Sequence, residues 1–333
     1  TYYSFNLGKV HYIMLDDQIY HNEPLPNAKK GKGLVGARNH TTALTRAQLD
    51  WLAKDLATVE DKSTPIVIGV HSPIFRYKDY MYAPVDCRLP AEQRDEFVGL
   101  FKDFPTVHIL SGHTHRNRCC YGRDDVAQPD IANFTEHTVA AVSGTRWHTS
   151  AMGGPQIAVT GEPAGCKIFT INDKDIEWYF KATEFSADEQ FRCFDMNGVS
   201  DFYRNSGEMR VFLDHFPKRT DYGKEKFRGK VMIHVWDWAN DWKIEVTENG
   251  TPLEVTRQKA ENPQYVLAYE IPKRLWWFDL TSASSRKKIR HPHMFHVTPS
   301  SATSTLEVTV TDRFGNKYHQ TMERPKAFHL HMK

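Results

Sequence analysis

Three short apolar runs constrain this chain most: Val10–Leu15, Ile66–Val70 and Thr106–Leu110 each read as a buried strand, with helical periodicity between them. Between the first two, Thr45 and Gln48 form a capping-box pattern. Leu49, Leu52, Leu56 and Val59 then recur at helical spacing, giving an amphipathic helix to about Thr58. Between the second and third, Pro90 opens another helix, with Phe97, Leu100 and Phe101 as its apolar stripe. A fourth strand is expected over Thr138–Val142. Cys166–Ile171 and Ile176–Phe180, joined across Asn172-Asp173-Lys174, read as a hairpin. Strands alternating with helices point to a layered α/β domain over residues 1–185.

From about Phe191 the style changes. Met209–Asp214, Val231–Trp236, Lys243–Thr247, Tyr265–Tyr269, Leu306–Thr311 and Lys317–Met322 are candidate strands, with turn chemistry at Asn249-Gly250 and Asp312–Asn316. These imply an all-β sandwich over residues 190–333. The length of 333 residues suits two domains.

Lys plus Arg number 43 against 41 Asp plus Glu. No bulk field therefore advertises nucleic acid or an anionic membrane. No apolar stretch approaches the ~20 residues of a transmembrane helix. Thr1–Asn6 carry neither a charged nor an apolar leader, so no signal peptide is read here. Cys87, Cys119, Cys120, Cys166 and Cys193 show no CxxC spacing, which argues against a disulfide framework or a cysteine-built zinc site.

The sharpest local signal is Gly112-His113-Thr114-His115, directly after the third strand, while His71 ends the second. Neutral imidazoles ligate Zn, Mn, Fe and Ni, and strand ends are where α/β folds place function. His71, His113 and His115 are therefore candidate metal ligands, against the competing reading of ordinary packing or surface histidines.

At these residues the chain resembles the calcineurin-like metallophosphoesterase family. Ile68-Gly69-Val70-His71-Ser72-Pro73 and Leu110-Ser111-Gly112-His113-Thr114-His115 look like that family's last two metal-binding motifs. Ala141–Trp147, Thr311–Asn316 and Arg324-Pro325 resemble one branch with its own C-terminal β domain. The resemblance implies the second half of an α/β/β/α metallophosphoesterase domain followed by the β-sandwich. It also implies hydrolysis of a phosphate mono- or diester by two divalent metal ions (Mn, Fe, Zn, Ni or Mg), His71 and His113 serving one and His115 the other. The family's upstream Asp-x-His, Gly-Asp-x-x-Asp and Gly-Asn-His motifs have no counterpart; the one Asn-His pair, Asn39-His40, lies in the wrong order.

The chain therefore reads as the C-terminal part of a longer enzyme, weakly active or inactive alone, holding one metal or none. The missing N-terminal segment or a homo-oligomer is expected to cover the open face. By the same resemblance an extracytoplasmic location is favoured. The rival reading is a non-catalytic glycan- or protein-binding module with a vestigial metal loop.

Weaker candidates follow. Arg76, with Tyr77, Tyr80 and Tyr82, is a possible phosphate contact, and Trp147, beside His148, a possible substrate wall. Trp236, Trp238, Trp242, Trp276 and Trp277 make this half aromatic, and core packing or domain-interface burial is expected ahead of a sugar-binding platform. His291, His293 and His296 form a loose cluster. Asn39-His40-Thr41 and Asn133-Phe134-Thr135 fit a glycosylation sequon.

Overall fold

The computed structural model describes residues 1–23, 39–75, 89–122, 131–142, 155–276 and 290–331. It is a mixed α/β structure that divides into two compact units. Unit 1 comprises Thr1–Thr114, Arg118–Val139 and Thr170–Ile176; unit 2 comprises His115–Asn117, Ala140–Phe169 and Glu177–Lys333.

In unit 1 the strands β1 (Tyr3–Leu7), β2 (Val10–Met14), β3 (Gln18–Tyr20), β4 (His40–Thr42), β5 (Ile66–Gly69), β6 (Val107–Ser111), β7 (Arg118–Tyr121) and β8 (Phe134–Thr138) accompany helices α1 (Arg46–Ala57) and α2 (Ala91–Leu100). The main sheet has the order β1-β2-β5-β6-β8-β7. Its four inner strands run parallel, and antiparallel β1 and β7 form the edges. Parallel strands buried by helices read as continuous apolar runs, which is why β2, β5 and β6 stood out. Ile13, Ile68 and Ile109 meet Leu49, Leu52 and Leu56 of α1 and Phe97 of α2 in one core.

Thr45 caps α1 by accepting from the Gln48 backbone N–H. Gln48 does not return the bond. Its amide instead clamps the Asp16 backbone, accepting from its N–H at 2.8 Å and donating to its carbonyl at 2.9 Å. The expected strand over Thr138–Val142 is displaced to β8. No apolar run marks that strand, because three of its five residues, Glu136, His137 and Thr138, are polar yet buried and hydrogen-bonded. β9 (Gly165–Asn172) and β10 (Asp175–Ala182) form the expected hairpin, with Asp173 in the left-handed region at φ 60°.

Unit 2 is not all-β, contrary to the expectation above. Strand β11 (Phe191–Asp195) leads into α3 (Met196–Asn205) and α4 (Gly207–His215). The strand expected over Met209–Asp214 is thus helical. Ser206 caps it through the Met209 N–H, and Met209, Phe212 and Leu213 are buried at helical spacing. Tyr265–Tyr269 is helical too. The Asn262 side chain accepts from the N–H groups of Gln264 and Tyr265, Pro263 takes the first turn, and the winding widens to a π-helix from Val266. The remaining strands are β12 (Val231–Val235), β13 (Lys243–Glu248), β14 (Thr251–Pro252), β15 (Thr256–Ala260), β16 (His291–Val297), β17 (Leu306–Thr311) and β18 (Lys317–Met322).

They build two four-stranded sheets, β11-β12-β16-β15 and β14-β13-β17-β18. One core draws Cys193, Ile233 and Val235 from the first sheet and Val246, Val308 and Val310 from the second. The opposite face of the first sheet, through Phe194, Met232 and Met294, packs on Val199, Tyr203, Met209 and Phe212 of α3 and α4. β11 and β12 are consequently buried at every residue. Among the described residues no helix is long and apolar enough to cross a membrane.

Candidate metal centre

β5 and β6 are parallel neighbours with Gly69 opposite Leu110, so both strands finish at the same edge. The ladder continues past them: Val70 N–H donates to the Leu110 carbonyl, and Gly112 N–H to the His71 carbonyl, each at 3.0 Å. Backbone pairing therefore couples the two histidine-bearing loops before any side chain is considered. The conformational freedom of glycine is not used at Gly112, whose added Cβ would meet only the His71 oxygen, at 4.0 Å. The left-handed backbone falls on the histidines instead, with φ of 58° at His113 and 55° at His115. Residues other than glycine take that region rarely, and such strain gathers at functional sites.

His71 Nε2 and His113 Nδ1 lie 2.9 Å apart, with ring centroids at 4.8 Å and planes at 81°. Both residues are exposed. Two imidazole nitrogens sharing one ion at about 2.0–2.1 Å each, at a right to tetrahedral angle, stand roughly 2.8–3.4 Å apart. The 2.9 Å of the pair lies at the short end of the spacing of two ligands to one metal, and neutral imidazole suits Zn, Mn, Fe or Ni. No group of three or more His, Cys, Asp or Glu side chains gathers in metal-binding geometry among the described residues. What is present fits part of one ion's ligand set and stops short of a closed site.

Two buried carboxylates hold the His71 loop from behind, and sequence reasoning had missed their roles. Asp17 accepts the Ser72 N–H at 2.9 Å, and Gln18 donates to the Ser72 hydroxyl at 3.1 Å. The second Asp17 oxygen is buried without a hydrogen-bond partner. Glu136 on β8 accepts the N–H groups of Ile74 at 2.6 Å and Phe75 at 3.0 Å, and weakly the Ser111 hydroxyl at 3.4 Å. One carboxylate therefore touches both the segment after His71 and the strand end before His113. An acid at the end of β2 was visible in the sequence; nothing local marked Glu136.

His115 is half-buried and belongs to unit 2 with Arg116 and Asn117. Its chain is fastened there by Asn117. The Asn117 backbone donates to Thr160 Oγ1 at 3.2 Å, and its amide to the Trp236 carbonyl at 3.2 Å and to Asp237 at 3.1 Å. Asp237 pairs with the fully buried Lys167 at 2.9 Å. Nearby Glu162 accepts from Thr160, and burial, reinforced by the Asp237 charge, pushes its carboxyl up to about 8. The structure thus brings His71 and His113 together and groups His115 with the second unit.

Arg76, Tyr77, Tyr80, Tyr82, Trp147, His148, Trp277 and Cys87 lie outside the described residues. Cys119 Sγ lies 3.4 Å from His137 Nδ1, and Cys166 and Cys193 carry free thiols. Trp236 is core, edge-on to Phe180 and Phe185. Trp238 is half-buried beneath the Arg257 guanidinium, and Trp276 is exposed. His291 is buried while His293 and His296 are partly exposed, so these three do not act as one cluster. The amide nitrogens of both sequon asparagines are engaged, Asn39 with the carbonyls of His21 and Glu23, Asn133 with those of Phe101 and Phe104.

Known proteins provide the context for this geometry. A stretch annexed by neither unit alone, residues 136–318, matches the family described as the C terminal of calcineurin-like phosphoesterase. An acid phosphatase of Aspergillus ficuum is 26% identical over 168 residues, covering 44% of this chain and 25% of that protein. Among solved structures, a dimetal phosphatase from Danio rerio is similar at 15% identity and a TM-score of 0.29, covering 42% of this chain and 48% of that one. PhoD is similar at 18% identity and the same score, covering 42% and 28%. The chain spans about a quarter of the length of the acid phosphatase and about half of the Danio rerio structure. Because the matched stretch takes in more than half of its residues, this chain belongs to the calcineurin-like phosphoesterase family, in the C-terminal part of it.

Proposed function

We propose that this chain works in metal-dependent hydrolysis of a phosphate mono- or diester, contributing His71, His113 and His115 to a two-metal site. The observation that carries the reading is the pairing of His71 and His113 at near-ligand spacing on adjacent strand ends, within a phosphoesterase family. Divalent ions in such a site supply the nucleophile, orient the phosphate and neutralise its charge. Two close dications also require carboxylates, so the complete site takes acidic ligands beyond these imidazoles, from elsewhere in the complete protein.

The chain's own part is positional. Asp17 and Glu136 fix the loop that presents His71; backbone pairing ties that loop to the one presenting His113; Asn117 anchors the stretch that follows His115. In unit 2, the core shared by two sheets supports reading that half as a β-sandwich elaborated with helices.

The test is hydrolysis of p-nitrophenyl phosphate and bis-p-nitrophenyl phosphate by the full-length protein with Mn²⁺ or Zn²⁺. His71→Ala and His113→Ala are each expected to lower kcat/KM at least 100-fold, a transition-state loss of about 2.7 kcal/mol. Activity that survives both replacements would overturn the proposal.

A further inference from the structure

Arg192 on β11 carries a charge that the fold leaves without a counter-ion. The residue is 6% exposed, and burial pulls its pKa down to about 10, which still leaves it a cation at neutral pH. Buried arginines are almost always paired, because a desolvated charge is destabilising unless an anion or hydrogen bonds answer it. Among the described residues no carboxylate or carbonyl accepts from this guanidinium; its close neighbour is the Phe185 ring, whose centroid lies 5.2 Å from Cζ.

The surroundings supply no other partner. Across the ladder stands His234, which burial, reinforced by the Arg192 charge, pushes down to about 3 and so keeps neutral. Two acids stand near, and neither closes on the guanidinium. Glu189 accepts the Ser186 N–H at 3.0 Å, and Glu184 is exposed.

Arg192 lines a cavity of about 110 Å³ within unit 2. A water needs roughly 10–15 Å³ and about 150 Å³ admits benzene, so the space suits a molecule of a few heavy atoms. Its walls are fixed by local pairing. Ile157 bridges Pro163, while the Ala158 and Ala164 N–H groups donate to the Glu162 and Gln156 carbonyls at 2.8 and 3.0 Å. On the other side Lys181 donates to the carbonyls of Ala182 and Phe185, pinning the turn that carries Phe185. Half-buried Pro155 and Phe185 give the cavity apolar surface, and Glu184 stands on its exposed side.

Of the three guanidinium nitrogens, Nε alone is sealed from solvent. The end-on fork of Nη1 and Nη2 therefore remains for a ligand, and two parallel donors match the two oxygens of a carboxylate. One cation among apolar walls also balances a single negative charge better than the nearly double charge of a phosphate.

We infer that this cavity binds a small aliphatic carboxylate, its oxygens on Nη1 and Nη2 of Arg192 and its short chain against Pro155 and Phe185. The site is separate from the His71–His113 pair, neither of which lines it.

The experiment is ligand-observed NMR titration of the metal-free chain with propionate. Propionamide controls for the charge, and inorganic phosphate for the class of anion. Saturable propionate binding with a Kd of about 0.1–10 mM is expected, each control being at least about tenfold weaker. Saturating propionate should also raise the melting temperature of the natural chain. Arg192→Met should lower the affinity at least about tenfold, and Arg192→Lys, which keeps the charge but not the fork, about threefold. Glu184→Gln removes a like charge from an exposed position and should tighten binding about twofold. That variant does not disturb the core, so it decides the matter even if the Arg192 replacements fail to fold. His113→Ala should leave the affinity unchanged. Absence of saturation, equal binding of propionamide or phosphate, binding that survives Arg192→Met, a Glu184→Gln variant that binds no more tightly, or loss of binding in His113→Ala would each overturn the inference.

Discussion

His71 and His113 face one another through Nε2 and Nδ1 at 2.9 Å, their rings nearly perpendicular. At that distance one nitrogen carries the proton and the other accepts it. A metal ion requires both lone pairs, so the donating ring must move its proton to its far nitrogen when metal enters. The internal hydrogen bond therefore holds the rings at the right spacing while competing with the ion.

On the proposed two-metal reading, both rings serve that ion. Replacement of either by alanine should lower the affinity of the isolated chain for Zn²⁺ or Mn²⁺ at least tenfold, as read by dye competition. The melting temperature should shift by no more than a few degrees, since both side chains are exposed. Unchanged affinity in both variants would remove the pair from the site.

Glu136 is expected to matter as much as a ligand without being one. Its carboxylate accepts the Ile74 and Phe75 N–H groups inside the protein. Glu136→Ala would leave two buried donors unsatisfied, at about 1–3 kcal/mol each. Denaturant titration should show a loss of roughly 2–5 kcal/mol, accompanied by weaker metal binding because the turn after His71 is released. Glu136→Gln, which keeps an acceptor oxygen but loses the charge, should recover part of both.

Much of unit 1 was legible because its strands are short apolar runs and its first helix has a matching cap and stripe; Ile68, Ile109 and Leu52 declare themselves by period alone. The two loops of the centre were legible for the same reason, as each histidine follows such a run. Glu136 and His137 were not. They sit in a strand whose polar residues are buried, and only partners distant in sequence, such as Ile74 and His108, make that tolerable. In unit 2 the strand reading of Met209–Asp214 and Tyr265–Tyr269 failed against capping residues that were in view, Ser206 and Asn262. Short apolar stretches fit either period, and there the caps decide.

Gly198 should invert a general rule. It lies in the first turns of α3, where glycine costs up to about 1 kcal/mol relative to alanine. Yet a Cβ there would stand 2.1 Å from the Lys326 backbone oxygen. That stretch is itself tied to the helix cap, Lys326 N–H donating to Asp195 at 3.1 Å. Gly198→Ala is expected to destabilise by about 1–3 kcal/mol through forced displacement of backbone. Gly207→Ala, with nothing within 4 Å, should be neutral or stabilising by about 0.5–1 kcal/mol. Thermal melts of the two variants should move in opposite directions, or the second should not move at all.

Glu162 should give unit 2 a pH dependence of definite sign. In the folded protein its carboxyl titrates near 8 because it is wholly buried beside Asp237, against an ordinary value of 4.5. Below about 4.5 it is protonated whether the chain is folded or not, and it costs nothing. Between 4.5 and 8 the folded state keeps a proton that the unfolded state has released, so each rise in pH favours unfolding. Above 8 both states are ionised and the penalty is constant, at most roughly 5 kcal/mol. Glu162→Gln removes that titration while keeping an acceptor for Thr160. Denaturant midpoints at pH 5, 7 and 9 should therefore fall more steeply with pH for the natural chain than for the variant, with the gap widening to pH 8 and then holding. Parallel profiles for the two proteins would mean that Glu162 is not held protonated in the fold.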